Sequence, residues 1–128
     1  MAIQIYDSKT EKKTEFVPLD PGKVKMYCCG PTVYDFLHVG NFRGAIFFNL
    51  VRNWLENRGF EVTFIYNYTD VDDKIIDRAK KESVSHLEIS AKYIEEFEAD
   101  FNALKLVKHT RNPRVTEFME EIVGFIEG

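Results

Sequence analysis

Little in this sequence could staple a fold, cross a membrane or grip a polyanion. The 128 residues include two cysteines, and these are neighbours, Cys28 and Cys29. Adjacent cysteines are sterically poor disulfide partners, so a disulfide-held scaffold is excluded and the pair needs another explanation. No uninterrupted run of about eighteen apolar residues exists, and the opening MAIQIYDSKTEKK lacks the charged-then-apolar layout of a secretory signal. A cytosolic location without membrane contact is the expectation. Against 17 basic residues stand 21 acidic ones, for a net charge of −4, and acidic residues dominate between Glu95 and Glu127. No broad basic face is available for a phosphate backbone, so any nucleic-acid contact must be local or lie elsewhere. Repeats, low-complexity tracts and Ser/Gly-rich linkers are lacking too.

What is present suits one ordinary domain, because 45% hydrophobic residues suffice for a single core. Residues 3–6 and 15–17, separated by the polar DSKTEKKT, predict a small hairpin. After PLDPG, the segment KVKMYCC predicts a strand that stops at Gly30-Pro31, since proline cannot donate to a central ladder. From about residue 40 to 57, Phe42, Ala45, Ile46, Leu50, Trp54 and Leu55 recur at helical spacing, with Arg58-Gly59 as the stop. Trp54 is accordingly assigned to the core stripe. Residues 61–68, EVTFIYNY, are β-branched and aromatic, so strand, helix and strand follow in the order of a βαβ unit with parallel strands.

Beyond residue 68 the pattern turns helical. Residues 72–81 predict a short helix, and residues 86–106 a longer one with Leu87, Ile94, Phe97, Phe101 and Leu104 as its apolar stripe. A third begins at Pro113, with Phe118, Ile122 and Phe125 on one face. That face has no obvious partner, and only two strands look central where a doubly wound sheet needs about four or five. The expected fold class is therefore α/β, a Rossmann-like parallel-sheet half-domain preceded by a hairpin and followed by helices.

In an open parallel sheet the ligand site lies outside the carboxyl ends of the strands, where the loop GPTVYDFLHVGN runs into the long helix. A helix start carries partial positive charge that suits phosphates. There Gly40 leaves room for close approach to the backbone, and His38 can donate to charge developing on phosphate oxygens. Taken alone, His38 reads more readily as an ordinary histidine at a helix start, and Thr69 equally as a strand-end threonine. Asp70, Asp72 and Asp73 fit caps and first-turn charges better than a Mg²⁺ cluster. Tyr34 and Asp35 shape the loop, and Lys80, Lys81 and Glu82 form a solvated face.

The joint pattern is more specific than its parts. CGPTVYD followed by a His-x-Gly motif, then NYTDVDDKI at the end of the next strand, resembles the N-terminal catalytic half of the cysteinyl-tRNA synthetases, class I aminoacyl-tRNA synthetases. The resemblance covers the whole chain, from IYDSKTEKKTEFVPLDPGKVKMY to FNALKL and PRVTEFMEEIVGFIE. It implies three parts: the hairpin at 1–22, the first half of the Rossmann-like domain at 23–112, and the truncated start of a connective-peptide insertion at 113–128.

The resemblance also implies ATP, with Mg²⁺, as a substrate, L-cysteine and tRNA(Cys) as the others, and a zinc ion in a monomeric parent. On that reading Cys29 is a zinc ligand, and Cys29, Gly30, Thr32 and Thr69 contact the cysteine. Thr32, His38, Gly40 and Asn41 bind ATP, with His38 and Asn41 as the catalytic pair. Side chains alternate along a strand, which agrees with one cysteine at the metal and Cys28 in the core. The family's other zinc ligands, a cysteine, a histidine and a glutamate, come from its second half, as do the lysines of its second signature. His86 and His109 fall in regions read as helical, with no ligand spacing to Cys29. The fragment alone is thus expected to be inactive and to hold zinc weakly.

Asn41 stands where the family carries a second histidine, which retains a donor and removes the option of positive charge. Two rivals follow: a cysteine ligase acting on an amino sugar, which tends to carry Thr-Pro-Tyr-Asp where this chain has Thr32-Val33-Tyr34-Asp35, and a non-catalytic nucleotide-binding paralogue.

Overall fold

The computed structural model describes residues 2–128. The chain opens with an antiparallel hairpin, β1 (Gln4–Asp7) and β2 (Lys12–Glu15), in the register Gln4 to Glu15 through Asp7 to Lys12. The second strand starts earlier than the expected 15–17. The cause is local: the Asp7 carboxylate accepts the Lys9 N–H and the Thr10 hydroxyl, both at 2.9 Å, and Glu11 takes a left-handed φ of 55°. An aspartate turn of this kind reverses the chain without waiting for the apolar residues.

β3 (Lys23–Cys28), α1 (Val39–Asn57) and β4 (Glu61–Tyr66) form the expected βαβ unit, with β3 and β4 parallel from Lys23 opposite Glu61 to Cys28 opposite Tyr66. The mixed α/β class and the parallel pair agree with the expected Rossmann-like half-domain. Beyond β4 come α2 (Asp73–Glu82), α3 (His86–Ala103), a short 3₁₀ turn (Val115–Phe118) and α4 (Met119–Glu127). Asp72 caps α2, its carboxylate taking the Lys74 N–H at 2.9 Å. Ser85 and Glu88 close a capping box on α3. Asp72 as cap, Asp73 in the first turn and the α2 and α3 starts lie where the sequence placed them, whereas Asp70, expected among the same caps and first-turn charges, is buried and accepts from Thr116 instead.

A third extended segment was not anticipated. Residues 110–115 run parallel along the free edge of β4: Thr110 N–H donates to Phe64 O at 2.8 Å, and Tyr66 N–H to Arg111 O at 3.1 Å. Tyr68 N–H then donates to Pro113 O at 2.9 Å, and Val115 N–H to Tyr68 O at 3.2 Å. Pro113 therefore sits in an extended edge segment rather than at a helix start; its C=O faces β4, and the donor it lacks on that side is replaced by the Asn112 side-chain amide, which donates to Tyr66 O at 2.8 Å. The helical turn begins two residues later, at Val115.

Along β4 and its extension the side chains alternate, with Val62, Phe64, Tyr66, Tyr68 and Asp70 buried and the residues between them less so. On the buried face Phe97 of α3 stacks on both Phe42 of α1, at 5.3 Å, and Tyr66 of β4, at 6.1 Å. This junction joins both long helices to one side of the sheet. His109, expected in a helix, instead lies in the link between α3 and the extended edge segment, stacked on Tyr66 at 4.5 Å and edge-on to Phe64. Burial pushes its pKa down to about 4, with Arg52 adding to the effect.

One expectation fails on α1. Phe42, Ala45 and Leu55 are buried, but Ile46, Leu50 and Trp54 are exposed, Trp54 at 43%. The helix is apolar on two sides, and the core takes only the side that also presents Phe48 and Val51. Trp54 instead lies under the Arg58 guanidinium, 5.2 Å from its ring centre.

Candidate functional site

The site residues converge at the carboxyl ends of the two parallel strands. Past Cys28 the chain leaves the ladder, and the loop 29–33 is tied to the end of β4. Thr69 N–H donates to Pro31 O at 3.0 Å, and Val33 N–H to Thr69 O at 3.2 Å, so Thr32 and Thr69 sit side by side. Gly30 is fixed by Asn67, whose side-chain oxygen accepts the Gly30 N–H at 3.0 Å and the Tyr27 hydroxyl at 2.9 Å. A Cβ on Gly30 would stand 1.6 Å from the Asn67 carbonyl oxygen, so this crossing admits glycine alone.

The loop then opens α1 through a reciprocal cap. His38 is the N-cap, and its Nδ1 accepts the Gly40 N–H at 3.0 Å, while the Asn41 side-chain oxygen accepts the His38 N–H at 3.1 Å. Because Nδ1 accepts, the ring carries its proton on Nε2, which is left as an outward donor. Gly40 has a further role: a Cβ there would meet His38 Cε1 at 2.7 Å and Nδ1 at 2.9 Å. The glycine makes room for the imidazole, in addition to any ligand. Asn41 and Phe42 N–H groups donate to His38 O, at 2.9 and 3.3 Å. The helix start thus offers its dipole and His38 Nε2–H more than free backbone donors.

His38 and Asn41 line a groove of about 340 Å³ with Pro31, Thr32, Tyr34 and Lys74. The sequence reading missed Lys74 and Asn67. Lys74 lies in the first turn of α2, with its ammonium 5.3 Å from the Tyr34 ring centre. A cation in a helix's first turn opposes the dipole, and that mismatch was the available signal. The outer wall is braced by Arg78, which pairs with Asp35 at 2.8 Å and Glu82 at 2.7 Å and lies 4.8 Å over the Tyr93 ring. Phe36 meets that ring edge-on at 5.3 Å. Tyr34 and Asp35 thus do hold the loop.

Cys29 is exposed and Cys28 half-buried against the core, with burial raising the Cys28 thiol pKa. Burial first, and then the two thiols, push the Tyr66 hydroxyl up to about 12. A zinc centre needs about four donors, and no three of His, Cys, Asp and Glu stand together among the described residues. One thiol does not build such a centre. The described part of this chain therefore does not, by itself, fit zinc.

The family described as tRNA synthetases class I (C) catalytic domain matches residues 15–128. The chain belongs to this family. Among curated relatives of this synthetase domain, the cysteine–tRNA ligase of Bdellovibrio bacteriovorus is 54% identical over 125 residues, covering 98% of this chain and 26% of the relative. The ligases of Streptococcus pneumoniae and Clostridioides difficile, under the same name, are 50% and 48% identical, again over 98% of this chain, and 28% and 27% of their own lengths. The synthetase chain thus spans about a quarter of the relatives it matches. Among the described residues no helix is long and apolar enough to cross a membrane.

Proposed function

We propose that the full-length protein is a cysteine–tRNA ligase that activates cysteine with ATP and transfers it to tRNA(Cys) in the cytosol, as a monomer. The observation that carries this reading is the His38–Gly40–Asn41 cap, which holds an imidazole donor over a helix start in the groove shared with Thr32.

The cysteine carboxylate attacks the α-phosphorus in line, releasing pyrophosphate and forming cysteinyl-adenylate. His38 Nε2–H donates to the phosphate oxygen on which charge develops, and Asn41, whose oxygen is held by the His38 N–H, offers its NH₂ as a second donor. The work is positioning and charge stabilisation, with no covalent enzyme intermediate. Gly30, Thr32 and Thr69 form the amino-acid wall beside Cys29, and the terminal ribose hydroxyl of tRNA then attacks the adenylate. Mg²⁺ accompanies ATP as substrate. Cys29 is the donor this chain brings toward zinc, the other ligands lying outside it, and residues 113–128 open the inserted connective peptide.

The test is charging of tRNA with radiolabelled cysteine by the full-length protein, with His38→Ala as control. Charged tRNA with a dead control supports the reading. A folded protein that binds ATP but charges nothing gives way to the paralogue, and one that joins cysteine to an amino sugar gives way to that ligase.

A further inference from the structure

Asp70 is the one buried charged side chain of the described core, 1% exposed, and it lies next to a proposed substrate-binding residue without facing the groove. Alternation along the β4 extension puts Asp70 on the core face with Tyr66 and Tyr68, and Thr69 on the opposite face with Asn67. Both carboxylate oxygens are taken by one residue 46 positions away: Thr116 N–H donates to Oδ1 at 3.0 Å and Thr116 Oγ1–H to Oδ2 at 2.5 Å. Thr116 lies in the 3₁₀ turn that follows the extended edge segment, which is itself bonded to Tyr68 through Pro113 and Val115.

We propose that Asp70 is a positioning residue: latched from behind by Thr116, it fixes the backbone at Thr69 and so sets the amino-acid wall that Thr69 and Thr32 form. The argument is one of leverage. Thr69 is joined to the loop only through its own N–H and C=O, to Pro31 and Val33. The regular β3–β4 ladder ends at Tyr66, and past the isolated Thr32–Thr69 bridge it is the Asp70 side chain, held by Thr116, that stops the strand end from swinging. A buried carboxylate with a missing partner is strongly disfavoured, which makes the latched arrangement the preferred one. It also means that the segment after residue 112 reports its own docking to the groove through Thr116.

This inference rests on the cysteine-ligase reading, and the experiment separates the two. In the full-length protein, cysteine-dependent ATP–pyrophosphate exchange is measured for wild type, Thr116→Val, Thr116→Ser and Asp70→Ala, alongside amide hydrogen exchange at Val33, Thr69 and the β3–β4 ladder. Thr116→Val should raise KM for cysteine about tenfold, as expected when one hydrogen bond to a charge is lost, and Asp70→Ala, which removes both, at least as much, with KM for ATP within about twofold in each. Amide protection should fall at Val33 and Thr69 and persist at Val24 and Val62, with Thr116→Ser close to wild type in every readout. Equal rises in both KM values, protection lost throughout the sheet, or protection at Val33 and Thr69 unchanged would each overturn the latch. Should wild type itself show no cysteine-dependent exchange, the ligase reading fails, and the amide data still decide whether Asp70 holds the strand end.

Discussion

Asn41 closes back on His38: its side-chain oxygen accepts the His38 backbone N–H at 3.1 Å, and the His38 ring answers by accepting the Gly40 N–H. The position that departs from the family signature is therefore an integral part of the helix cap. Asn41→Ala should cost about 1 kcal/mol, in the range of lost helix caps, while Asn41→Asp, which keeps the acceptor, should cost less. Urea unfolding of the two variants checks the order.

Gly40 and Gly30 are glycines for different reasons, and the difference can be measured. Gly40→Ala pushes on the His38 imidazole, a side chain that can rotate away, so it should disturb ATP-dependent activity more than stability. Gly30→Ala drives a methyl group into the Asn67 carbonyl, which cannot leave without opening the strand end. That substitution should destabilise by about 2 kcal/mol or more, read as a shifted urea midpoint.

Burial separates the two apolar stripes of α1. Phe42→Ala removes a ring stacked on Phe97 and should cost about 3–5 kcal/mol, whereas Trp54→Ala on the exposed stripe should cost at most about 1 kcal/mol. Similar losses at both positions, in chemical unfolding of the 128-residue chain, would contradict the assignment of the faces.

That contrast also marks what the sequence could and could not tell. The βαβ unit, the α2 and α3 starts and the convergence of Thr32, His38, Gly40, Asn41 and Thr69 were legible, because periodicity, caps and the strand-end rule are local signals. Which side of α1 meets the sheet was not, since Ile46, Leu50 and Trp54 repeat as regularly as Phe42 and Ala45. The extended edge segment was hidden because Pro113 also suits a helix start, and its place beside β4 depends on partners more than forty residues away. Asn67 and Lys74 were missed because a polar residue's partner is not written in its neighbours.

His109 gives the fold a pH dependence of known sign. Its folded pKa of about 4 lies below the ordinary 6.5, so between those values the unfolded chain binds the extra proton. Its contribution is fully present above pH 6.5 and is lost as pH falls toward 4. His109→Phe, which keeps an aromatic ring against Tyr66 and Phe64, should flatten the change in urea midpoint between pH 7 and 4.5 relative to wild type. An identical slope in the two proteins would remove His109 from the account.

The most direct measurement of the central claim is ATP–pyrophosphate exchange by the full-length protein with each amino acid offered alone, repeated with His38→Ala. The account predicts exchange driven by cysteine and reduced at least about a hundredfold in the variant, the scale of losing an oxyanion donor. Exchange that ignores cysteine, or that survives His38→Ala undiminished, would contradict it.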